Sequence, residues 1–178
     1  MSNPAGKTIL ITGCSSGIGY CVASGLQQRG YRVFATARRP DSVAQLKEEG
    51  FESLQLDLDD SQSIQQSVEE ILRRTGGELY AVFNNGAFGL PGAVEDLSRD
   101  AIRAQFETNF FGWLELTNLL LPVMRRQGYG RIIQNSSVLG FVTMPFRGAY
   151  NSSKFAIEGL SDTLRLELKG TNKHVSLV

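Results

Sequence analysis

The chain has 178 residues, of which 42% are hydrophobic and 20% charged, so it can build one hydrophobic core and is too apolar for a disordered protein. Its 18 Lys and Arg residues balance 18 Asp and Glu residues, which argues against nucleic acid or an anionic membrane as a partner. Two cysteines, Cys14 and Cys21, and one histidine, His174, are too few for a disulfide framework or a Cys/His metal centre. Residues 1–7 lack a hydrophobic signal core, and no apolar stretch reaches the ~18 residues of a membrane span. We therefore expect a cytoplasmic protein with no metal and no membrane span.

Apolar runs and amphipathic segments alternate along the whole chain. Short runs rich in β-branched residues predict six strands, at residues 7–12, 31–37, 53–58, 79–84, 131–136 and 174–178. Apolar residues at helical spacing predict helices between them, at residues 18–29, 41–49, 61–74, 98–127 and 149–169. This alternation predicts an α/β fold, a doubly wound, Rossmann-like parallel sheet with helices on both faces. In such sheets, ligands bind beyond the carboxyl ends of the strands.

The turn between the first strand and the first helix is rich in glycine and reads TGCSSGIG over residues 12–19. Gly13 would allow a tight turn, Gly17 would let a pyrophosphate approach the backbone, and Gly19 would let the helix pack closely on the sheet. The spacing is GxxxGxG rather than GxGxxG, and such a turn can also be purely structural. Its position after the first strand favours a nucleotide held at the helix N-terminus. The predicted contacts are Gly13, Ser15, Ser16, Gly17, Ile18 and Gly19.

The end of the second strand bears on the choice of cofactor. NAD-binding folds place an acidic residue there to bind the ribose hydroxyls, whereas this chain has Arg38 and Arg39. Arginines suit a 2′-phosphate through charge-assisted, bidentate contacts. We assign Arg38 to that phosphate and Arg39 either to the same phosphate or to a solvated surface position. The sequence thus predicts NADP(H) rather than NAD(H).

Six short motifs follow one another along nearly the whole chain. They are TGCSSGIG at 12–19, LDL at 56–58, NNGA at 84–87, Asn109 within NFFG, Ser136-Ser137, and YNSSK at 150–154. In this order and at these spacings, they resemble the short-chain dehydrogenase/reductase family. The resemblance implies that Asp57 and Leu58 contact the adenine and that Asn85, Gly86 and Ala87 line the other side of the cofactor. The family usually has Asn-Asn-Ala-Gly at this last position, and we expect the turn to survive the exchange because both small residues remain.

Tyr150 and Lys154 are four residues apart on a predicted helix and so share one face. A free phenol, with a pKa near 10, is a poor base at neutral pH, and a nearby ammonium favours the phenolate. The resemblance implies that Tyr150 is the acid or base, that Lys154 also binds the nicotinamide ribose, and that Ser137 holds the substrate oxygen. It implies that Asn109 supports a water-linked proton path to Lys154 by holding the long helix in an irregular turn. Each residue alone has an ordinary structural alternative, and their joint occurrence favours catalysis.

Compared with the family pattern, residues 1–178 read as a single dinucleotide-binding and catalytic domain that is incomplete at its C-terminus. The seventh strand and the substrate lid are missing, so we expect this form to be poorly soluble or weakly active alone. The apolar segments 88–97 and 141–147 favour a hydrophobic aldehyde, ketone, retinoid or steroid over a sugar. We expect a homodimer or homotetramer built through helices 106–124 and 149–168.

The leading hypothesis is an NADP(H)-dependent oxidoreductase that transfers a hydride between nicotinamide and a carbonyl or alcohol. One alternative is a non-catalytic NADP-binding sensor or partner subunit, which the tyrosine–lysine pair argues against and the missing segment favours. Another is a sugar-nucleotide epimerase or dehydratase of the related extended family, which the glycine spacing argues against.

Overall fold

The computed structural model describes residues 6–178. Residues 1–5, which belong to the predicted domain and to the predicted leaderless N-terminus, lie outside the described residues. Six parallel strands form one sheet in the order β3-β2-β1-β4-β5-β6. They are β1 Thr8–Ile11, β2 Arg32–Ala37, β3 Glu52–Gln55, β4 Ala81–Asn84, β5 Gly130–Gln134 and β6 Lys173–Leu177.

Six α-helices connect the strands. They are α1 Gly17–Gln28, α2 Pro40–Glu48, α3 Ser61–Thr75, α4 Arg99–Phe106, α5 Gly112–Gln127 and α6 Gly148–Glu167. Short 3₁₀ turns lie at Val94–Asp96 and Val138–Gly140. The strand order reverses between β1 and β4, so the loops that follow these two strands diverge there and open a crevice. The predicted doubly wound α/β sheet is confirmed, including its six strands.

The sheet is covered on both faces because successive residues of a strand point to opposite sides. Leu10 of β1 packs in one buried cluster with residues of α3, α5 and α6. Its neighbours Ile9 and Ile11 pack in a second cluster, with Ala23 of α1 and Leu46 of α2. The buried runs along the central strands follow from this two-sided burial, which is typical of parallel sheets.

Most predicted bounds lie within two residues of the observed ones, and two predicted elements differ by more. The third strand ends at Gln55 rather than at residue 58. The Leu56 amide still bonds to the Ala37 carbonyl, but the Asp57 amide bonds to the Ser63 hydroxyl, which turns the chain out of the sheet. The predicted helix 98–127 is interrupted by a π-helical segment at Glu107–Phe111, between α4 and α5.

No helix within residues 6–178 is both long enough and apolar enough to cross a membrane.

Candidate active site

The glycine loop joins β1 to α1 with an uncapped helix N-terminus. Gly17, with φ of +60°, opens the helix, and a Cβ added there would meet no atom within 4 Å. The preceding Ser16 makes no side-chain capping bond, and the first turn of α1 holds no acidic residue. The helix N-terminus therefore has neither a side-chain cap nor an acidic residue to occupy it, and this arrangement suits an anion.

The other two glycines hold the loop close to its neighbours. A Cβ on Gly13, whose φ is +69°, would lie 2.6 Å from the Cα of Gly86. A Cβ on Gly19 would lie 2.3 Å from the Gly13 carbonyl oxygen and 2.6 Å from Asn85 Nδ2. Gly19 thus lets α1 approach the glycine loop itself and the Asn85 side chain, not the body of the sheet as we expected from the sequence.

The loop after β4 is tied to the loop after β1 by a set of short hydrogen bonds. The Thr12 hydroxyl accepts from the amides of Asn85 and Gly86, at 2.9 and 2.8 Å. Asn85 Nδ2 donates to the Thr12 and Gly13 carbonyls, and the Trp113 indole donates to the Gly86 carbonyl. The Asn-Asn-Gly-Ala turn is therefore held firmly, with the side-chain-free Gly86 at its closest approach to Gly13.

A cleft of about 520 Å³ lies between the ends of β2 and β3 and the loop after β4. Arg38, Asp57 and Leu58 line it together with Gly86 and Ala87. Arg39 is exposed at the N-cap of α2 and lines neither this cleft nor the larger one described next. The structure therefore brings only one of the two predicted arginines, Arg38, to this cleft.

A larger cleft of about 810 Å³ runs from the glycine loop across the ends of β4 and β5. Its lining contains Ser137, Tyr150 and Lys154, three of the four predicted catalytic residues. Of the predicted cofactor contacts, it contains Gly13, Ser15, Ser16, Ile18, Asn85, Gly86 and Ala87. One continuous space thus joins the glycine loop to the tyrosine–lysine pair.

Lys154 is only 2% exposed, although its ammonium faces this cleft. Its Nζ donates to the Asn135 carbonyl at 2.7 Å and lies 4.5 Å from the centre of the Trp113 ring and 5.5 Å from that of Tyr150. Burial lowers the pKa of Lys154 to about 8, and the carboxylate of Glu158 partly opposes this shift. The lysine therefore stays a cation at neutral pH, close to the face of the phenol that it would influence.

Asn109 lies in the π-helical segment and is fully buried, outside the lining of either cleft. Its Nδ2 donates to the Phe88 carbonyl and to the Ser153 hydroxyl, and its Oδ1 accepts from the Phe88 amide. The i→i−5 bond from the Gly112 amide to the Glu107 carbonyl marks the irregular turn that the family resemblance implied at Asn109. Asn109 thereby fastens the loop after β4 to the helix that carries Tyr150.

The sequence reasoning missed Glu158, a buried carboxylate one turn beyond Lys154 on α6. Its Oε1 accepts a hydrogen bond from the buried Ser136 hydroxyl. The neighbouring Ser137 hydroxyl accepts from the Leu139 amide at 3.1 Å. Glu158 thus anchors the segment that carries Ser137. Its position four residues after Lys154 was the sequence signal that could have placed it on the same helical face as that lysine.

Two further residues of the site also escaped the sequence reasoning. The buried Gln105 on α4 accepts from the Leu90 amide and donates to the Phe88 carbonyl. Arg147, immediately before α6, lines the larger cleft. Gln105 belongs to no motif, and Arg147 ends the predicted substrate segment 141–147, which was assigned an apolar role only.

Fold and site together define a doubly wound α/β protein with clefts at the carboxyl ends of its strands, and comparison with known proteins gives its family. Residues 7–178 match the family model described as short chain dehydrogenase, and the chain belongs to that family. It is 44% identical over 172 residues to an uncharacterized oxidoreductase, YbbO, of Escherichia coli K12. It is 39% identical over 185 residues to retinol dehydrogenase 8 of Bos taurus. These matches cover 97% and 98% of this chain but only 64% and 58% of the two relatives.

Solved structures show the same fold. A short chain dehydrogenase/reductase from Burkholderia phymatum in complex with NAD has a TM-score of 0.92 at 26% identity and covers 99% of this chain. A metagenomic short-chain oxidoreductase in complex with NADP has a TM-score of 0.91 at 28% identity and also covers 99%. This chain covers 66% and 82% of those two proteins. Structures of this fold thus include both NAD and NADP complexes.

Proposed function

We propose that this protein is an NADP(H)-dependent oxidoreductase that interconverts a hydrophobic carbonyl compound and its alcohol. The observation that carries the proposal is that Ser137, Tyr150 and Lys154 line one cleft with the glycine loop. A nucleotide bound along that loop would extend toward the phenol and the ammonium.

The residues of the two clefts fit a nicotinamide dinucleotide. The uncapped N-terminus of α1 and the room beside Gly17 suit the pyrophosphate, with Ser15, Ser16 and Ile18 in the same lining. Asp57 and Leu58 would contact the adenine, and Asn85 to Ala87 the other side of the cofactor. The bound nicotinamide would supply or accept the hydride.

The side chains of the larger cleft supply the acid–base chemistry. In the direction of reduction, Ser137 donates a hydrogen bond to the carbonyl oxygen and Tyr150 donates a proton to it. The Lys154 ammonium stabilises the resulting phenolate and binds the nicotinamide ribose. In oxidation, the phenolate takes the proton from the alcohol. Asn109 acts through position alone, because it holds Phe88 and Ser153 and does not line the cleft.

NADP(H) is proposed over NAD(H) because Arg38 lines the smaller cleft and has no acidic neighbour at the end of β2. The guanidinium would pair with a 2′-phosphate. Arg39 lies on the same turn and makes at most a weaker contact.

A hydrophobic substrate is proposed because Phe88, Leu139 and Met144 line the larger cleft. An aldehyde, ketone, retinoid or steroid would suit that lining. Exposed Phe111 and Phe155, on the π-helical segment and on α6, support a homodimer or homotetramer through these helices. We place the protein in the cytoplasm.

The test is to titrate the purified chain with NADPH and NADH by nicotinamide fluorescence and to follow NADPH oxidation with hydrophobic aldehydes. We expect NADPH to bind more tightly and Tyr150→Phe to lower kcat by at least ~1,000-fold while the NADPH Kd changes less than about twofold. Turnover that survives in Tyr150→Phe would refute the catalytic assignment. NADPH binding without turnover in the unmodified chain would favour the non-catalytic sensor.

A further inference from the structure

The charged residues that line the larger cleft are all cationic. Lys154 and Arg147 belong to the lining, and none of its described residues is Asp or Glu. Lys154 has a partner in the Asn135 carbonyl. Arg147 has none, because no hydrogen bond or ion pair reaches its guanidinium from any of residues 6–178.

Arg147 also differs from the other arginines of the described chain. Those without a hydrogen bond or ion pair are exposed to solvent, whereas Arg147 is partly buried. The partly buried Arg32 has a bidentate ion pair with Glu52, at 2.6 and 2.9 Å. Its guanidinium is partly withdrawn from water and keeps unpaired N–H donors, so a ligand in the cleft can supply the missing partner.

The backbone around Arg147 is fixed, so its side chain starts from a defined point on the cleft wall. The Gly92 amide donates to the Phe146 carbonyl at 2.9 Å, and the Asn151 amide donates to the Arg147 carbonyl at 2.7 Å. Asn151 Nδ2 ties the same segment back to the Met144 carbonyl. Arg147 lies immediately before α6 and three residues before Tyr150, and both side chains belong to the lining of the larger cleft.

Arg147 belongs to a wall of the cleft that is formed by the start of α6 and residues 89–92. Gly92 is bridged to Arg147, and a Cβ on Gly89 would lie 3.3 Å from the Tyr150 ring. The pyrophosphate contacts proposed above lie instead at the N-terminus of α1. The first turn of α6 contains no acidic residue that could neutralise Arg147. An anion near this arginine would therefore belong to the substrate, not to the cofactor phosphates.

We propose that Arg147 is a specificity-determining residue that binds a carboxylate of the substrate, a few bonds from the reacting carbonyl. A guanidinium presents parallel N–H donors that match the two oxygens of a carboxylate. The substrate class is then an oxo acid with an apolar body, or the corresponding hydroxy acid. This assignment rests on the proposed carbonyl reduction at Tyr150 and narrows its substrate.

The test compares two nearly isosteric aldehydes, 4-carboxybenzaldehyde and its neutral methyl ester, methyl 4-formylbenzoate. For the unmodified chain with NADPH, we expect kcat/KM for the acid to exceed that for the ester by at least tenfold. Arg147→Gln should lower kcat/KM for the acid about tenfold or more, mainly by raising KM. The kcat/KM for the ester should change less than about twofold. Arg147→Lys should keep part of the preference. Arg126→Gln, at an exposed position on α5, is the matched control and should leave kcat/KM unchanged for both substrates.

Equal use of acid and ester by the unmodified chain would overturn the assignment. So would an Arg147→Gln variant that loses both substrates alike, because the arginine would then act on Tyr150 or on the cofactor.

A binding measurement separates this proposal from the proposed function. Binding of 4-fluorobenzoate to the NADPH-loaded chain is followed by ¹⁹F NMR, and Arg147→Gln should weaken it about tenfold. Such binding without turnover of either aldehyde would refute the proposed reductase activity and support the carboxylate site. Reduction of the ester with no detectable 4-fluorobenzoate binding would support the proposed reductase activity and refute the carboxylate site. Absence of both would refute both.

Discussion

The two clefts at the switch point are built by different means. The smaller cleft and the glycine loop depend on missing side chains and on exposed groups, because Gly13, Gly17 and Gly86 leave room and Arg38 faces solvent. The larger cleft depends on buried polar side chains that bond to one another or to the backbone, such as Lys154, Glu158 and the Asn109 amide. The first region is a shape that accepts a ligand, and the second is a network that sets protonation and position.

This difference predicts different responses to mutation. At Gly13 and Gly19 of the glycine loop, an added Cβ collides with backbone, which cannot move without disturbing the fold. Among the exposed groups, loss of a charge changes affinity and leaves the fold intact. Within the buried network, loss of a charge changes the pKa of a neighbour.

The largest expected effect is in the glycine loop. Gly19→Ala should destabilise the chain by about 3 kcal/mol, because its Cβ would lie 2.3 Å from the Gly13 carbonyl oxygen. Gly25→Ala, on the same helix with no atom within 4 Å of the added Cβ, is the matched control and should stabilise it by about 1 kcal/mol. Urea unfolding measures both. Equal effects of the two substitutions would contradict the close approach at Gly19.

A smaller effect is expected at the two exposed arginines that follow β2. Arg38→Gln should raise the Kd for NADPH roughly 10- to 100-fold, the loss of a charge-assisted contact of about 1.5–3 kcal/mol, and leave NADH within about twofold. Arg39→Gln should have a lesser effect, since Arg39 lines neither cleft. Fluorescence titration of each variant and of the unmodified chain with NADPH and with NADH gives the dissociation constants to be compared. A larger loss from Arg39→Gln would reverse the assignment of the two arginines.

The smallest expected effect lies in the buried network. Because Glu158 raises the pKa of Lys154, which burial lowers to about 8, removing the carboxylate should lower that pKa further. The ammonium is then lost at lower pH, so in Glu158→Gln the alkaline decline of kcat/KM should move down by about half a pH unit to one unit. Gln can still accept a hydrogen bond from Ser136. Glu167→Gln, exposed on the same helix, should leave the pH profile unchanged, and an unshifted profile in Glu158→Gln would argue for a purely structural carboxylate.

Much of the fold and part of the site could be predicted from the sequence. Alternating apolar runs gave the six parallel strands, because strand and helix periods differ and each leaves its own pattern. The glycine loop and the tyrosine–lysine pair were visible because their spacing within one turn fixes their geometry locally. The irregular turn at Asn109 came from the family resemblance, since no local signal interrupts the predicted helix there.

The sequence by itself determined the α/β fold class, the glycine loop and the shared helical face of Tyr150 and Lys154, because each leaves a pattern in the local sequence. Only the tertiary structure decided that Arg38 and not Arg39 lines a cleft, that Glu158 bonds to Ser136, and that Arg147 is partly buried without a partner. Each of these depends on which distant segments meet. The pairing of Glu158 with Ser136, for example, joins residues 22 positions apart. Periodicity and local spacing carry no information on such contacts, because packing of the helices against the sheet sets them.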